Sequence, residues 1–353
     1  MAVDEERFRS FVEGAIGGRV VRLERAAVGS SRVTLRVDAE DAQGHARQLV
    51  VRHDSGDGPL SGTEINLANE ARFYRALADH PVRIPRLIAE AEDGLTLLVE
   101  RAPGTESLGE LSEPDRQAVQ ADFGRALAEL HAVDSTELRL GDLARPREAA
   151  DHALLDLARW ARLQCENVAD ASDVSRLAID WLGKNPPRWV ERTVLCHGDA
   201  GIGNFLHDGR RVTALLDWEF AHLGDPLDDV AWVLVRSHVT GGDAWRAALT
   251  TWSEQSAVPL EPGRIAYYRA MVLLRMAVSC EIALSHARPG RAMDTTVYRA
   301  LLPYLEFLMP QALREAGCRE PGLDALEQEA TKQLEASPIR AVARPLVPWE
   351  PPA

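Results

Sequence analysis

The sequence lacks a surplus of positive charge: 40 Lys and Arg stand against 54 Asp and Glu, a formal net charge of −14. Nucleic-acid binding is driven by neutralising phosphates with Lys and Arg, and anionic membrane surfaces attract the same residues. Neither partner is expected. Cysteine is scarce as well. Cys165, Cys196, Cys280 and Cys318 lie far apart with no CxxC pair, which argues against a disulfide framework or a zinc ribbon and predicts a reducing, cytoplasmic setting. Cys196 reads as a small buried hydrophobe rather than a reactive thiol. The N-terminal MAVDEERFRS has no apolar h-region, so no secretory signal is read there. The most apolar helical stretch, YYRAMVLLRMAVSCEIAL, is interrupted by Arg269, Arg275 and Glu281, and those charges exclude a comfortable membrane span. Internal repeats and low-complexity blocks are missing too. What remains is an ordinary globular composition, 46% hydrophobic and 27% charged, spread over 353 residues, a length at which two lobes are the expectation.

The first hundred residues show short β-branched runs, VVRLERAAVGSSRVTLRVDAE and RQLVVRHD, separated by Gly, Asp and Ser, the pattern of strands. INLANEARFYRAL has helical spacing, and LTLLVERAPG gives a strand ended by Pro103 and Gly104. Beyond Gly104 the pattern turns helical, with Ser112 as N-cap and Pro114 in the first turn. A strand–loop–hairpin segment from Val194 to Trp218, with a turn at Asp208-Gly209, interrupts helices that resume over about 226–336. The fold class is therefore α+β and bilobal: a small β-rich N-lobe with one helix over residues 1–102, a hinge at its end, and a large mainly helical C-lobe over 103–337. The proline-rich tail, 338–353, reads as an extended surface strap.

The stretch CHGDAGIGNFL (196–206) concentrates the polar chemistry. His197 and Asp199 could ligate zinc, but no third ligand lies at a matching spacing. His197 reads better as a backbone hydrogen-bonder, and Gly198, Gly201 and Gly203 as turn formers. As H-x-D-x-x-x-x-N, the stretch has the spacing of the protein-kinase catalytic loop, where Asp accepts the substrate hydroxyl proton and Asn holds magnesium. Asp217 follows the apolar run VTALL, where kinases place a metal-binding Asp. Asn204 and Asp217 are then the protein's hard oxygen ligands for Mg2+, completed by the phosphates of ATP. Upstream, Val28-Gly29-Ser30-Ser31 lies between two strands, and its serines either make an ordinary turn or contact phosphate. Arg52 sits where kinases place the strand lysine, and Glu70 in the next helix can pair with it. Trp245, Trp252, Tyr267, Tyr268, Tyr298 and Tyr304 read as helix-packing core.

On HGDAGIGN, LLDWEFAHLGDPLDDVAW, the reduced Gly-Ser loop and LLVERAPG, the chain resembles the aminoglycoside phosphotransferase family of kinase-like small-molecule kinases, which is also similar to choline and homoserine kinases. The resemblance covers roughly residues 20 to 320. It implies that Asp199 orients or deprotonates an acceptor hydroxyl, that Asn204 and Asp217 bind Mg2+, and that backbone near Glu100 to Ala102 contacts the adenine of ATP. It implies that Asp225 and Asp229 brace the catalytic loop from behind, while Glu219 is either a support or a second metal contact. Three departures stand out: Gly198 replaces the kinase loop's Arg and no A-P-E element follows, which points to constitutive activity; the phosphate loop has one glycine; and Arg52 replaces lysine.

For the acceptor, the window 242–316 holds seven acids and eight arginines, no acidic surplus for a polycation. A neutral or anionic alcohol is expected, such as a hydroxyacyl thioester of coenzyme A, because the acyl-CoA dehydrogenase-associated branch of the family carries similar HGD and DWEFAHLGDP segments. An aminoglycoside or macrolide O-phosphotransferase is the alternative. A nucleotide-binding pseudokinase is the alternative of another class.

Overall fold

The computed structural model describes residues 5–26, 32–240, 245–287 and 294–351. Five antiparallel strands form the smaller lobe: β1 (Arg19–Arg25), β2 (Val33–Glu40), β3 (Ala46–His53), β4 (Leu87–Glu90) and β5 (Thr96–Glu100), in the order β1-β2-β3-β5-β4. Side chains alternate across a strand, and the alternation decides which residues reach the rest of the molecule. Leu35 and Val37 of β2, with Leu49 and Val51 of β3, are buried against Phe8 and Val12 of helix α1 (Glu5–Ile16). Thr34, Val50 and Arg52, on the opposite face, line a cavity against the second lobe. A one-residue slip would exchange the two sets.

This lobe carries two helices rather than the expected one. Phe8, Phe11 and Val12 of α1 follow helical spacing and cover the outer face of the sheet, a short amphipathic signal hidden among charges. The second helix, α2 (Leu67–Leu77), is the expected one. The Asn66 side chain caps it by accepting from the Asn69 amide at 2.9 Å.

The chain leaves β5 through residues 100–104 and enters helix α3 (Glu113–His131), where Ser112 caps the first turn as expected. Helices α4 (Asp151–Asn167) and α5 (Asp173–Lys184) follow. Then come short strands β6 (Val194–Cys196), β7 (Phe205–His207), β8 (Val212–Leu215) and β9 (His222–Gly224), paired β6–β9 and β7–β8. Gly209, at φ 107, turns the β7–β8 hairpin.

Helices α6 (Pro226–Val239), α7 (Arg246–Ser256), α8 (Pro262–Ser285), α9 (Thr296–Glu315) and α10 (Leu323–Ala336) complete the lobe. The centre is α8, whose Leu273, Leu274 and Val278 are fully buried. Each such side chain contributes roughly 1.5–3 kcal/mol by leaving water. Trp245, Trp252, Tyr267, Tyr268 and Tyr304 are buried in the same core, with Tyr298 packed partly against it. Among the described residues no helix is long and apolar enough to cross a membrane.

The tail begins with a short 3-10 turn, Pro338–Ala341, where an extended segment was expected. It then runs along α9, its backbone tied by Leu346 N–H to Gln311 Oε1 (2.8 Å) and Trp349 N–H to Glu315 Oε1 (3.0 Å).

Candidate active site

Between the lobes lies a cavity of about 720 Å³, within the range of small-molecule sites. Its upper wall is the inner face of β2, β3 and β5; its floor includes Gly203, Leu206, Leu216 and Asp217. The polar stretch 197–204 leaves β6 beneath this cavity.

Asp229, in the first turn of α6 and fully buried, holds the loop from below. Its carboxylate accepts the His197 amide at 2.7 Å and the Gly198 amide at 2.9 Å, and also His131 Nε2 at 2.9 Å. Burial opposes its ionisation, but the His131 contact keeps the carboxyl below its ordinary value. The Trp252 indole N–H donates to His131 Nδ1 (3.1 Å), which fixes the tautomer in which Nε2–H points at Asp229.

The neighbouring acids do different work. Asp225, expected to brace the loop alongside Asp229, does not reach it. It caps α6 by accepting from the Leu227 amide (2.9 Å) and lies 3.4 Å from Arg264. Burial pushes its carboxyl up to about 7, against the pull of Arg264. Asp228 instead takes Arg275 through two bonds of 2.7 Å and His222 at 3.0 Å. Asp228 and Asp229 are successive positions that diverge by about 100° around α6, and Asp225 is its N-cap, so three acids of one helix end meet three different surroundings. Cys196 is buried beside them, its thiol pushed well above its ordinary value by burial.

His197 donates from Nε2 to the Leu216 carbonyl at 2.8 Å and accepts the Asp199 amide at Nδ1. It therefore ties the loop to the residue before Asp217, a backbone role. Asn204 donates from Nδ2 to both the carbonyl (2.8 Å) and the carboxylate (2.6 Å) of Asp199. The second carboxylate oxygen of Asp199 is paired with Arg236 of α6. Gly198, at φ 78, accounts for the missing loop arginine: a Cβ there would lie 2.2 Å from the Phe220 carbonyl oxygen. Gly201 and Gly203 also have positive φ, and Arg236 passes within 3.1 and 3.3 Å of where their Cβ atoms would stand.

Asp217 adopts φ 67, a left-handed conformation uncommon outside glycine and asparagine. Burial would raise its carboxyl, but Arg52 and Arg32 beside it bring it below the usual value. Arg52 bridges Asp217 and Glu70, so the strand cation and the helix acid meet as the spacing implied. Glu219 pairs with Arg32 at 2.6 Å. Burial pushes its carboxyl up to about 7, with Asp217 and Glu70 adding to the rise against Arg32. Glu100 and Ala102 both line the cavity at the lobe crossing. Ser30 and Ser31 lie outside the described residues.

Sequence reasoning missed Arg32, Arg236 and His131. Signals existed for the first two. Arg32 stands two residues before Thr34, on the cavity face of the alternation, and Arg236 follows Asp229 by seven residues, two helical turns along one face.

A strand-built lobe over a helical lobe, with this acidic loop at the floor of the cleft, defines the class of kinase-like phosphotransferases. The sequence profile of the phosphotransferase enzyme family matches residues 22–267, and the chain belongs to that family of enzymes. The acyl-CoA dehydrogenase family member 10 of Mus musculus is 27% identical over 248 residues, 66% of this chain and 22% of that protein. The chain thus spans about a fifth of the length of that curated relative. Macrolide 2′-phosphotransferase MphH from Brachybacterium faecium superposes with a TM-score of 0.58 at 20% identity, covering 83% of this chain and 97% of that one. A thermostable mutant of aminoglycoside phosphotransferase APH(4)-Ia, in ternary complex with ADP and hygromycin B, gives 0.55 at 18% identity, covering 94% and 98%. These structural likenesses establish the shared fold.

Proposed function

We propose that the chain transfers the γ-phosphoryl group of ATP, with Mg2+, to a hydroxyl of a small molecule. The observation that carries the reading is the convergence of Asp199, Asn204 and Asp217 under the cleft, facing the Arg52–Glu70 pair.

The donor set suits magnesium. Asn204 spends its NH2 on Asp199, so its amide oxygen is turned the other way. Asp217 commits one oxygen to Arg52 and keeps the second. Two hard oxygens do not close an octahedral sphere, and among the described residues no three His, Cys, Asp or Glu converge to hold a metal. Completion by phosphate and water is the habit of Mg2+ in such sites. When bound, the ion supplies charge neutralisation across the phosphates.

The chain's own residues do the rest. Backbone at Glu100–Ala102 meets the adenine, and Arg52, held by Glu70, grips phosphate. The acceptor hydroxyl donates to Asp199, which takes its proton as the oxygen attacks the γ-phosphorus and the bond to the β-phosphate breaks towards ADP. Arg236 pairs with one carboxylate oxygen of Asp199 and holds it in place. With Gly198 sterically required and no A-P-E element, the enzyme needs no activating phosphorylation. The unit boundaries we adopt are 1–102, 103–337 and 338–353, and the cytoplasm supplies the ATP.

For the acceptor, the count of arginines gives no support. Arg264, Arg269, Arg275 and Arg314 are all engaged in ion pairs, with Glu191, Glu315, Asp228 and Asp324 respectively. The likeness to an acyl-CoA dehydrogenase family member supports a hydroxyacyl-CoA-type alcohol. The fold shared with macrolide and aminoglycoside phosphotransferases supports an antibiotic hydroxyl as the second reading. A mass-spectrometric screen for phosphorylated products over hydroxyacyl-CoAs, macrolides and aminoglycosides tests both. Transfer should vanish in Asp199→Ala; binding of ATP without product from any acceptor class would instead mark a pseudokinase.

A further inference from the structure

Arg32 and Arg52 stand in the same relation to the same carboxylate. Arg52 places Nη1 on Glu70 Oε1 and Nη2 on Asp217. Arg32 places Nη1 on Glu70 Oε2 at 2.9 Å and Nη2 on Glu219 at 2.6 Å. Each guanidinium thus has one nitrogen anchored on the α2 acid and the other on the segment that follows β8. Both side chains line the cavity. Arg32 is 5% exposed and Glu70 fully buried, so this is a built arrangement rather than a surface pairing.

We propose that Arg32, just before β2, is a second cation for the donor's phosphates, acting beside Arg52. The inference rests on the nucleotide-donor reading above. With all three carboxylates ionised, the two guanidiniums leave the cluster with one uncompensated negative charge, unfavourable for a polyphosphate unless the carboxylates find another partner. Asp217 would be that point of neutralisation, since it would hold a divalent ion with the donor. The two Nη2 groups would then be free to take phosphate oxygen in place of carboxylate, while Glu70 keeps both arginines oriented. Guanidinium forks suit this exchange because they are permanently charged and bind phosphate in plane.

The test compares ATP, ADP and adenosine binding to wild type, Arg32→Gln and Arg32→Lys by calorimetry, with Mg2+ and again in EDTA. Loss of a charge-assisted contact should weaken ATP and ADP roughly ten- to hundredfold in Arg32→Gln. Adenosine, without phosphates, should stay within about twofold, and Arg32→Lys should fall between. Equal weakening of adenosine and ADP, or unchanged ADP affinity with a lowered melting temperature, would show that Arg32 only braces β2 against α2. If Arg32→Gln does not fold, the ADP-to-adenosine ratio in Arg32→Lys decides in the same way. Wild type that binds none of the three overturns the donor reading and this inference together. Wild type that binds ADP, matched by Arg32→Gln, overturns this inference alone.

Discussion

Asp229→Asn probes the support of residues 197–199, because it keeps volume and changes only the charge and hydrogen bonding of the group beneath them. In the native site Oδ1 accepts the Gly198 amide at 2.9 Å, and Oδ2 accepts the His197 amide at 2.7 Å and His131 Nε2 at 2.9 Å. All three partners are donors, and His131 cannot reverse its tautomer without losing the Trp252 bond. An asparagine brings one oxygen and one NH2. In the better of its two orientations the NH2 opposes the Gly198 amide, so one charge-assisted bond is lost, about 1.5–3 kcal/mol, and a buried N–H is left unmatched, about 1–3 kcal/mol more. The expected loss is therefore about 2.5–6 kcal/mol in urea unfolding, followed through the tryptophans. Release of residues 197–199 also moves Asp199, and a displacement near 1 Å costs on the order of a hundredfold in turnover. The KM for ATP should change little, since Arg52 and the 100–102 segment are untouched. The Asp229 carboxyl is held below its ordinary value in the fold, so its stabilisation is present above the unfolded value near 3.9 and fades as pH falls through the folded one. The gap between wild type and variant should accordingly narrow in acid. A variant within about 0.5 kcal/mol of wild type, with kcat within about twofold, would refute the role given to Asp229.

Gly198→Ala should destabilise by more than the roughly 1–2 kcal/mol of a left-handed alanine, because its Cβ would overlap the Phe220 carbonyl at 2.2 Å. Gly209→Ala, with φ 107 and nothing within 4 Å, carries the backbone cost alone; equal melting temperatures for the two variants would contradict the packing argument. Glu306→Gln tests a buried acid of α9 whose carboxyl is pushed up to about 7 by burial, with Glu281 adding to the rise. A raised carboxyl favours the fold while protonated and costs stability as pH climbs from its unfolded value near 4.3 through 7. The variant should thus gain on wild type between pH 5 and pH 8 in chemical denaturation, and a constant difference would oppose this.

Legibility followed locality. The loop residues 197–204, Asp217, Arg52 and Glu70 could be placed from sequence because their roles depend on spacing along single strands, loops and helices. GDPLDD could not be divided, because Asp225, Asp228 and Asp229 face α6's own amides, Arg275 and the catalytic loop respectively, partners that only the tertiary fold brings. The arginine count over 242–316 gives no support to the acceptor expectation for a related reason. Arg275 is spent on Asp156 and Asp228 deep in the lobe, and a sum of charges along a window carries no information about burial. Helix α1 was legible in principle from Phe8, Phe11 and Val12, but five charged residues among Glu5–Ile16 hid the stripe.

The arginine at position 52 has a consequence for how the site rests without nucleotide. The chain contains only Lys184 and Lys332, and both lie outside the cleft. A lysine ammonium is a compact point charge, whereas a guanidinium presents separate nitrogens in a fixed plane. Arg52 can therefore hold Glu70 and Asp217 at once, and it does. The same contact that positions the cation occupies one oxygen of the acid proposed to bind metal. On the proposed reading, donor and metal would bind best together: metal alone would compete with Arg52 for Asp217 with no phosphate to take its place, and nucleotide alone would face the carboxylates unscreened. Without ligand the cleft rests as a set of ion pairs, and on that reading the binding of Mg2+ and polyphosphate should be mutually reinforcing by the reciprocity of linkage.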